Sequence, residues 1–325
     1  MSITGDLLNE LKSLPCFTDI QSIELITEGL SQTAIKVTTT SQIFFAKKLK
    51  QATANTEIAC ALLCANLANK YHLEQGITEQ LAPQVIYHDR KWLVTDFING
   101  LPLADKNIGN HPKITIALKL MAKLHQLPIT LASQPIPPLN PIATINDLVT
   151  QLPASLSSYG NILMIISKSL STNIESIIAQ TKTGNVICHG DINFSNILQD
   201  NCNRAWLIDF ECAQLAPAEF ELAMFIAVNN IAKQDITDLV AQYQTLVPTC
   251  KLKSSLLSHY VVYSFFINGL WYLSNIKPTA NTEIENTEVE NRMRGLAIEQ
   301  WSAFDSFSIE YAMSLPRLTP IITEL

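Results

Sequence analysis

The chain has 325 residues, 47% hydrophobic and 16% charged, with a formal net charge of −7. That length exceeds one ordinary core and points to two lobes, and the composition excludes a disordered chain. The acidic balance argues against a nucleic-acid partner, which needs concentrated Lys and Arg. Seven cysteines stand scattered with no Cys-x-x-Cys pair, as expected for free thiols in a reducing compartment. The start of the chain lacks the basic and apolar segments of a signal peptide. The apolar run from Tyr260 to Leu273 is broken by Ser264, Asn268 and Gly269 and falls short of the roughly 20 residues that span a bilayer. The expectation is a cytoplasmic protein without membrane insertion.

Leu7 to Leu14 reads as a short amphipathic helix. Strands are predicted at Ile23–Ile26, Ala34–Thr39 and Ile43–Ala46, where β-branched and aromatic residues cluster between turn residues. Helical spacing follows from Thr56 to Leu67, then two more strands at Gln84–Tyr87 and Lys91–Thr95 around the turn His88-Asp89-Arg90. A hinge is placed near residues 97–103. Beyond it the pattern is helical, over 114–126, 145–152, 161–180, 218–230, 236–246, 256–276 and 288–311. The Pro-rich stretch 135–141 cannot be helix interior. Residues 279–291, polar with four Glu, read as an exposed loop or helix start. Residues 1–98 therefore make a small β lobe and 99–325 a large helical lobe.

The chemistry concentrates in Val186 to Leu198, an apolar strand that breaks at Gly190 and spends its polar residues in one loop. Asp191 and, five residues on, Asn196 suit a loop holding a base and a metal. A second strand, Ala205–Ile208, delivers Asp209, with Phe210 and Glu211 next. Asp191 is the candidate base; Asn196 and Asp209, hard oxygen donors, are candidates for magnesium. An Asx-rich turn is the bland reading, and metal hydrolysis through His189, Asp191, Asp209 and Glu211 a competing one. Toward the N-terminus, Gly29, Ser31 and Gln32 lie in a turn between strands, where a phosphate-covering loop would sit. A strand-end lysine and Glu57 on the next helix follow in the order that an ATP-orienting ion pair requires. Lys48 is the choice, framed by Ala46 and Leu49, with Lys47 the alternative. His125 reads as a core residue, and Cys60 and Cys64 as packing. Trp271 or Tyr272 could offer an aromatic face to a cation, and Glu211 adds negative charge near such a substrate.

In this order the motifs resemble the aminoglycoside phosphotransferase and choline kinase superfamily. His189-Gly190-Asp191 through Asn196-Ile197-Leu198 looks like its His-Gly-Asp-x-x-x-x-Asn loop. Leu207-Ile208-Asp209-Phe210-Glu211 looks like its metal segment, in the form typical of the choline, ethanolamine and thiamine kinase branch. Gly29-Leu30-Ser31-Gln32 is similar to the branch's phosphate loop, residues 93–100 to its hinge and 120–127 to its apolar helix. The resemblance implies a bilobal, protein-kinase-like α+β fold with a small antiparallel β lobe. It also implies an ATP- and Mg2+-dependent phosphotransferase acting on the hydroxyl of a small, cationic amino alcohol. Asp191 would accept the hydroxyl proton, Asn196 and Asp209 bind the metal, and Lys48, held by Glu57, orient the phosphates. The chain departs from the pattern at Gln32, at Glu221 in place of Asp, and at Asn268, where choline kinases carry the first of two Trp. A full choline cage is thereby in question. An aminoglycoside or sugar kinase, and a decayed nucleotide-binding protein, are the alternatives.

Overall fold

The computed structural model describes residues 5–26, 33–65, 80–181, 183–276 and 284–323. Its contacts divide the chain into two compact units, residues up to 137 with 189–215, and residues 138–188 with 216–325. The segment carrying Asp191 and Asp209 thus groups with the β-rich part, whereas the sequence reading divides the chain at residue 98.

In the first unit, Ile20–Ile26 (β1), Ala34–Thr39 (β2), Ile43–Lys48 (β3), Val85–His88 (β4) and Trp92–Asp96 (β5) form an antiparallel sheet in the order β1-β2-β3-β5-β4. Side chains alternate across a pleated strand. Val37 pairs with Phe44, Ile35 with Ala46, and Ala46 with Val94, so these apolar residues share one face. That face packs on Leu11 of the helix Gly5–Lys12 (α1) and on Leu14 and Phe17 just after it. Fully burying each large apolar side chain contributes about 1.5–3 kcal/mol. Ala54–Ala65 (α2) is nearly all Ala, Cys, Ile and Leu and is buried along most of its length.

A second, three-stranded antiparallel sheet orders Gly100–Pro102 (β6) beside Ile197–Asp200 and then Ala205–Leu207. β6, missed in sequence, needs glycine at its first position: a Cβ at Gly100 would overlap the Gln199 carbonyl. Numbered along the chain, Val186–Cys188 is β7, Ile197–Asp200 β8, Ala205–Leu207 β9 and Gln214–Ala216 β10. Asn110–His125 (α3) completes this unit, with His125 buried.

The second unit is helical: Pro141–Thr150 (α4), Gly160–Thr181 (α5), Ala218–Val228 (α6), Lys233–Leu246 (α7), Ser254–Ser274 (α8), Ile284–Glu310 (α9) and Thr319–Ile322 (α10). Pro141 opens α4, where its missing N–H costs nothing, and Asn140 caps it by accepting the Ala143 N–H at 3.0 Å. α8 is apolar on all sides because it packs against α4, α5, α6 and α9. Gly269 lets the Trp301 indole lie against the α8 backbone, where it donates to the Phe266 carbonyl at 3.1 Å. Of the polar stretch 279–291, residues 284–291 are helical and 279–283 lie outside the described residues. Among the described residues α5 alone is long and apolar enough, by length and composition, to cross a bilayer.

Candidate active site

On β3 the pleat sends neighbouring lysines to opposite faces. Lys48 lies opposite Trp92 on the α1 face; its ammonium meets Glu10 at 2.8 Å and stands 5.7 Å from the Trp92 ring. Lys47 points the other way and is nearly buried. It donates to Glu57 of α2 at 2.5 Å and to Asp209 at 2.6 Å. The expected pairing of Lys48 with Glu57 is therefore corrected to Lys47. Ala46, used to frame Lys48, shares the α1-facing core, so a residue two further on must face α1 as well. Burial works against the charge of Lys47, but Glu57 and Asp209 outweigh it and raise its pKa. Burial pushes the Glu57 carboxyl up to about 7; Lys47 pulls it down, and the charge of Asp209 pushes it further up.

Asp191 sits in a loop shaped by an unusual backbone position just before it. Gly190 has φ +79°, and a Cβ there would strike the Cys212 carbonyl, so only glycine fits. Beside it the buried His189 ring contacts the Ile208 carbonyl at 2.9 Å through Nε2 and lies 4.8 Å from the Phe210 ring. Both oxygens of Asp191 accept amide hydrogen bonds: Oδ1 from Asn193 at 3.0 Å and Oδ2 from Asn196 at 2.9 Å. Burial, with Asp209 and Glu211 nearby, lifts the carboxyl of Asp191 to about 7 against those two bonds.

The β8–β9 register relates the two metal candidates. Ile197 pairs with Leu207, and the Ile208 N–H donates to the Asn196 carbonyl at 3.1 Å, so Asn196 stands opposite Ile208, the residue directly before Asp209. Asp209 is left-handed, with φ 68°. For a non-glycine residue that is strained by about 1–3 kcal/mol and is typical of functional positions.

A family model described as choline/ethanolamine kinase matches residues 77–303, more than half of the chain. The chain belongs to the choline/ethanolamine kinase family. It is accordingly a small-molecule kinase. Among solved structures it is similar to the choline kinase LicA from Streptococcus pneumoniae, at 15% identity over 90% of this chain and 98% of that one, with a TM-score of 0.62. An ethanolamine kinase from Plasmodium vivax matches at 15% identity over 85% and 82%, with a TM-score of 0.58. A spectinomycin phosphotransferase bound to ADP and spectinomycin matches at 16% over 87% and 94%, with a TM-score of 0.54. At these identities the likeness establishes the kinase-like α+β fold. No curated protein matches the chain significantly.

In this member of the choline/ethanolamine kinase family, the donors fit a hard cation. Asn196 spends its amide nitrogen on Asp191, so its carbonyl oxygen is the atom left for a metal. Glu57 and Asp209 share the Lys47 ammonium, Glu211 pairs with Lys50, and Asp191 lies near Asp209 and Glu211 with two amide donors, a carboxylate-rich setting whose charge a divalent cation would offset. Lys50, unremarked in the sequence, pairs with Glu211 at 3.0 Å from the turn that opens α2. Asn193 was missed too, although an Asn two residues past an Asp is a recognisable turn signal. Gly29, Ser31 and Gln32 lie outside the described residues. Trp271, in the second unit, is half-buried and meets Tyr272 edge-on at 5.4 Å. Asn268 donates to Gln300, which in turn donates to the Ala227 carbonyl, a helix-packing role.

Proposed function

We propose that the protein transfers the γ-phosphate of ATP to the hydroxyl of a small cationic amino alcohol of the choline, ethanolamine or thiamine kind. One observation carries this reading. A carboxylate held at both oxygens, Asp191, bonds to Asn196, whose partner across the hairpin is Ile208, the residue before Asp209, and Asp209 is joined through Lys47 to Glu57. Asp191 orients the acceptor and takes its proton. The hydroxyl oxygen bonds the γ-phosphorus while the bond from that phosphorus to the bridging oxygen breaks, and ADP leaves. Lys47, steadied by Glu57, contacts the nucleotide phosphates, and Gly29, Ser31 and Gln32 cover them. Asn196 and Asp209 would hold magnesium, which supplies positive charge against the transferring phosphate. Positioning and electrostatics do most of the work in such a transfer.

Residues 1–98 are assigned to nucleotide handling and 99–325 to catalysis and acceptor binding, in the cytoplasm. Glu211 and Trp271 are the residues proposed to favour a cationic acceptor. The similarity to a spectinomycin phosphotransferase supports an aminoglycoside as the second reading. ADP release with magnesium–ATP and a panel of choline, ethanolamine, thiamine, aminoglycosides and sugars separates them. The proposal expects an amino alcohol to give the fastest turnover, abolished by EDTA and by Asp191→Asn. Turnover that no acceptor stimulates, or that Asp191→Asn leaves intact, would overturn it.

A further inference from the structure

Asn193 is bonded at both ends of its carboxamide. Its nitrogen donates to Oδ1 of Asp191 at 3.0 Å. Its oxygen accepts the backbone N–H groups of Ser195 at 2.8 Å and Asn196 at 3.0 Å, capping the single 3-10 turn Phe194–Asn196. Asn196 closes the ring from the other side by donating to Oδ2 of the same carboxylate at 2.9 Å and to the Asp191 carbonyl at 3.0 Å. An asparagine serving only as a turn cap would need its oxygen alone. Here the nitrogen is spent as well, on the carboxylate assigned above to take the acceptor's proton.

We infer that Asn193 is a positioning residue for phosphoryl transfer, tying the Asp191 carboxylate to the backbone turn that presents Asn196. Base and metal-side amide then keep a fixed separation, set by a ring of short hydrogen bonds rather than by packing. Without the Asn193 nitrogen, Asp191 keeps one of its two side-chain anchors, and its carboxylate can swing about the remaining bond. A small misplacement of a reacting group is costly in rate because near-attack geometry is lost before binding is. The effect belongs in kcat and not in KM. This inference rests on the role given to Asp191 above, and the experiment separates the two.

Asn193→Ser keeps a short side-chain oxygen able to cap the turn but cannot span to Asp191; Asn193→Ala removes both functions. Each is assayed by ADP release with magnesium–ATP and the fastest acceptor of the choline, ethanolamine and thiamine panel, alongside Asp191→Asn and thermal unfolding. The expectation for Asn193→Ser is a kcat at least fivefold below wild type, KM values for ATP and acceptor within threefold, and an unchanged melting temperature. Asn193→Ala should lose the same kcat and melt lower. A kcat for Asn193→Ser less than fivefold below wild type, or a loss carried by KM, overturns the inference. If Asn193→Ser is near wild type while Asp191→Asn is inactive, only the positioning role fails. If Asp191→Asn is fully active, the proposed function itself fails.

Discussion

Replacing Lys47 and Lys48 in turn by Met tests the site most directly, because the two side chains are adjacent in sequence and differ only in face. Lys47 is 6% exposed and holds two carboxylates, Glu57 at 1% and Asp209 at 29% exposure. Removing one partner of a buried ion pair costs about 3–5 kcal/mol. Asp209 retains contact with water, and Glu57 can take up a proton, so the lower end of about 3 kcal/mol applies. For a unit of this size that is a fall in melting temperature of roughly 6–12 °C. Lys48 and Glu10 are 42% and 28% exposed, a pair worth about 0–1 kcal/mol. The sign with pH follows from Glu57. Its folded pKa is raised to about 7 from an ordinary value of 4.5, so the folded state holds a proton that the unfolded chain releases. Stability from this group therefore rises as pH falls from above 7 toward 4.5. Without Lys47 the shift is larger, so Lys47→Met should be more destabilised at pH 8 than at pH 6. In activity, Lys47→Met should lose about 10²-fold or more in kcat/KM, the usual cost of one donor to a reacting group, while Lys48→Met stays within about threefold of wild type. Thermal unfolding at the two pH values and ADP release measure both effects. Equal losses from the two variants, in stability or in turnover, would refute the assignment of Lys47 to the site.

Gly190→Ala must place a side chain at positive φ against the Cys212 carbonyl, which costs at least about 1–2 kcal/mol for the left-handed backbone alone; lower melting temperature and lost turnover should appear together. Gly269→Val would drive a side chain into the Trp301 indole and should destabilise the helical unit by roughly 1–3 kcal/mol, seen as loss of intrinsic Trp fluorescence change at a lower urea midpoint. Asp89 accepts the N–H groups of Lys91 and Trp92, both at 2.7 Å; burial opposes its charge, but these amides outweigh it and hold its pKa below the ordinary value. Its contribution is present at neutral pH and lost as pH falls through the carboxylate range, so Asp89→Asn should narrow its deficit to wild type in acid denaturation below about pH 4. Trp271→Ala should raise KM for a cationic acceptor while leaving KM for ATP unchanged, and an unaltered acceptor KM removes Trp271 from the proposed site.

Much of the candidate site could be read along the chain because its residues are local. Asp191 and Asn196 share one loop, and Asp209 stands one short hairpin further on, so their spacing and its resemblance to kinase motifs grouped the three. The choice between Lys47 and Lys48 was not legible in the same way. Both faces of β3 are buried, at Phe44, Ala46 and Lys47, so alternation along the strand does not mark which side holds the site. Only the packing of Leu11, Leu14 and Phe17 on one face, and of Glu57 and the distant Asp209 around Lys47 on the other, decides it. The same holds for Lys50, whose partner Glu211 lies on a distant segment, and for β6, three residues recruited by an edge supplied much later. Neighbours along the chain carry the kinase-like order of elements and the spacing of Asp191, Asn196 and Asp209, and a sequence reading reaches both for that reason. Tertiary structure alone decided which ammonium reaches Glu57 and Asp209, because a charge enters a buried site only where packing from both sides leaves it a partner.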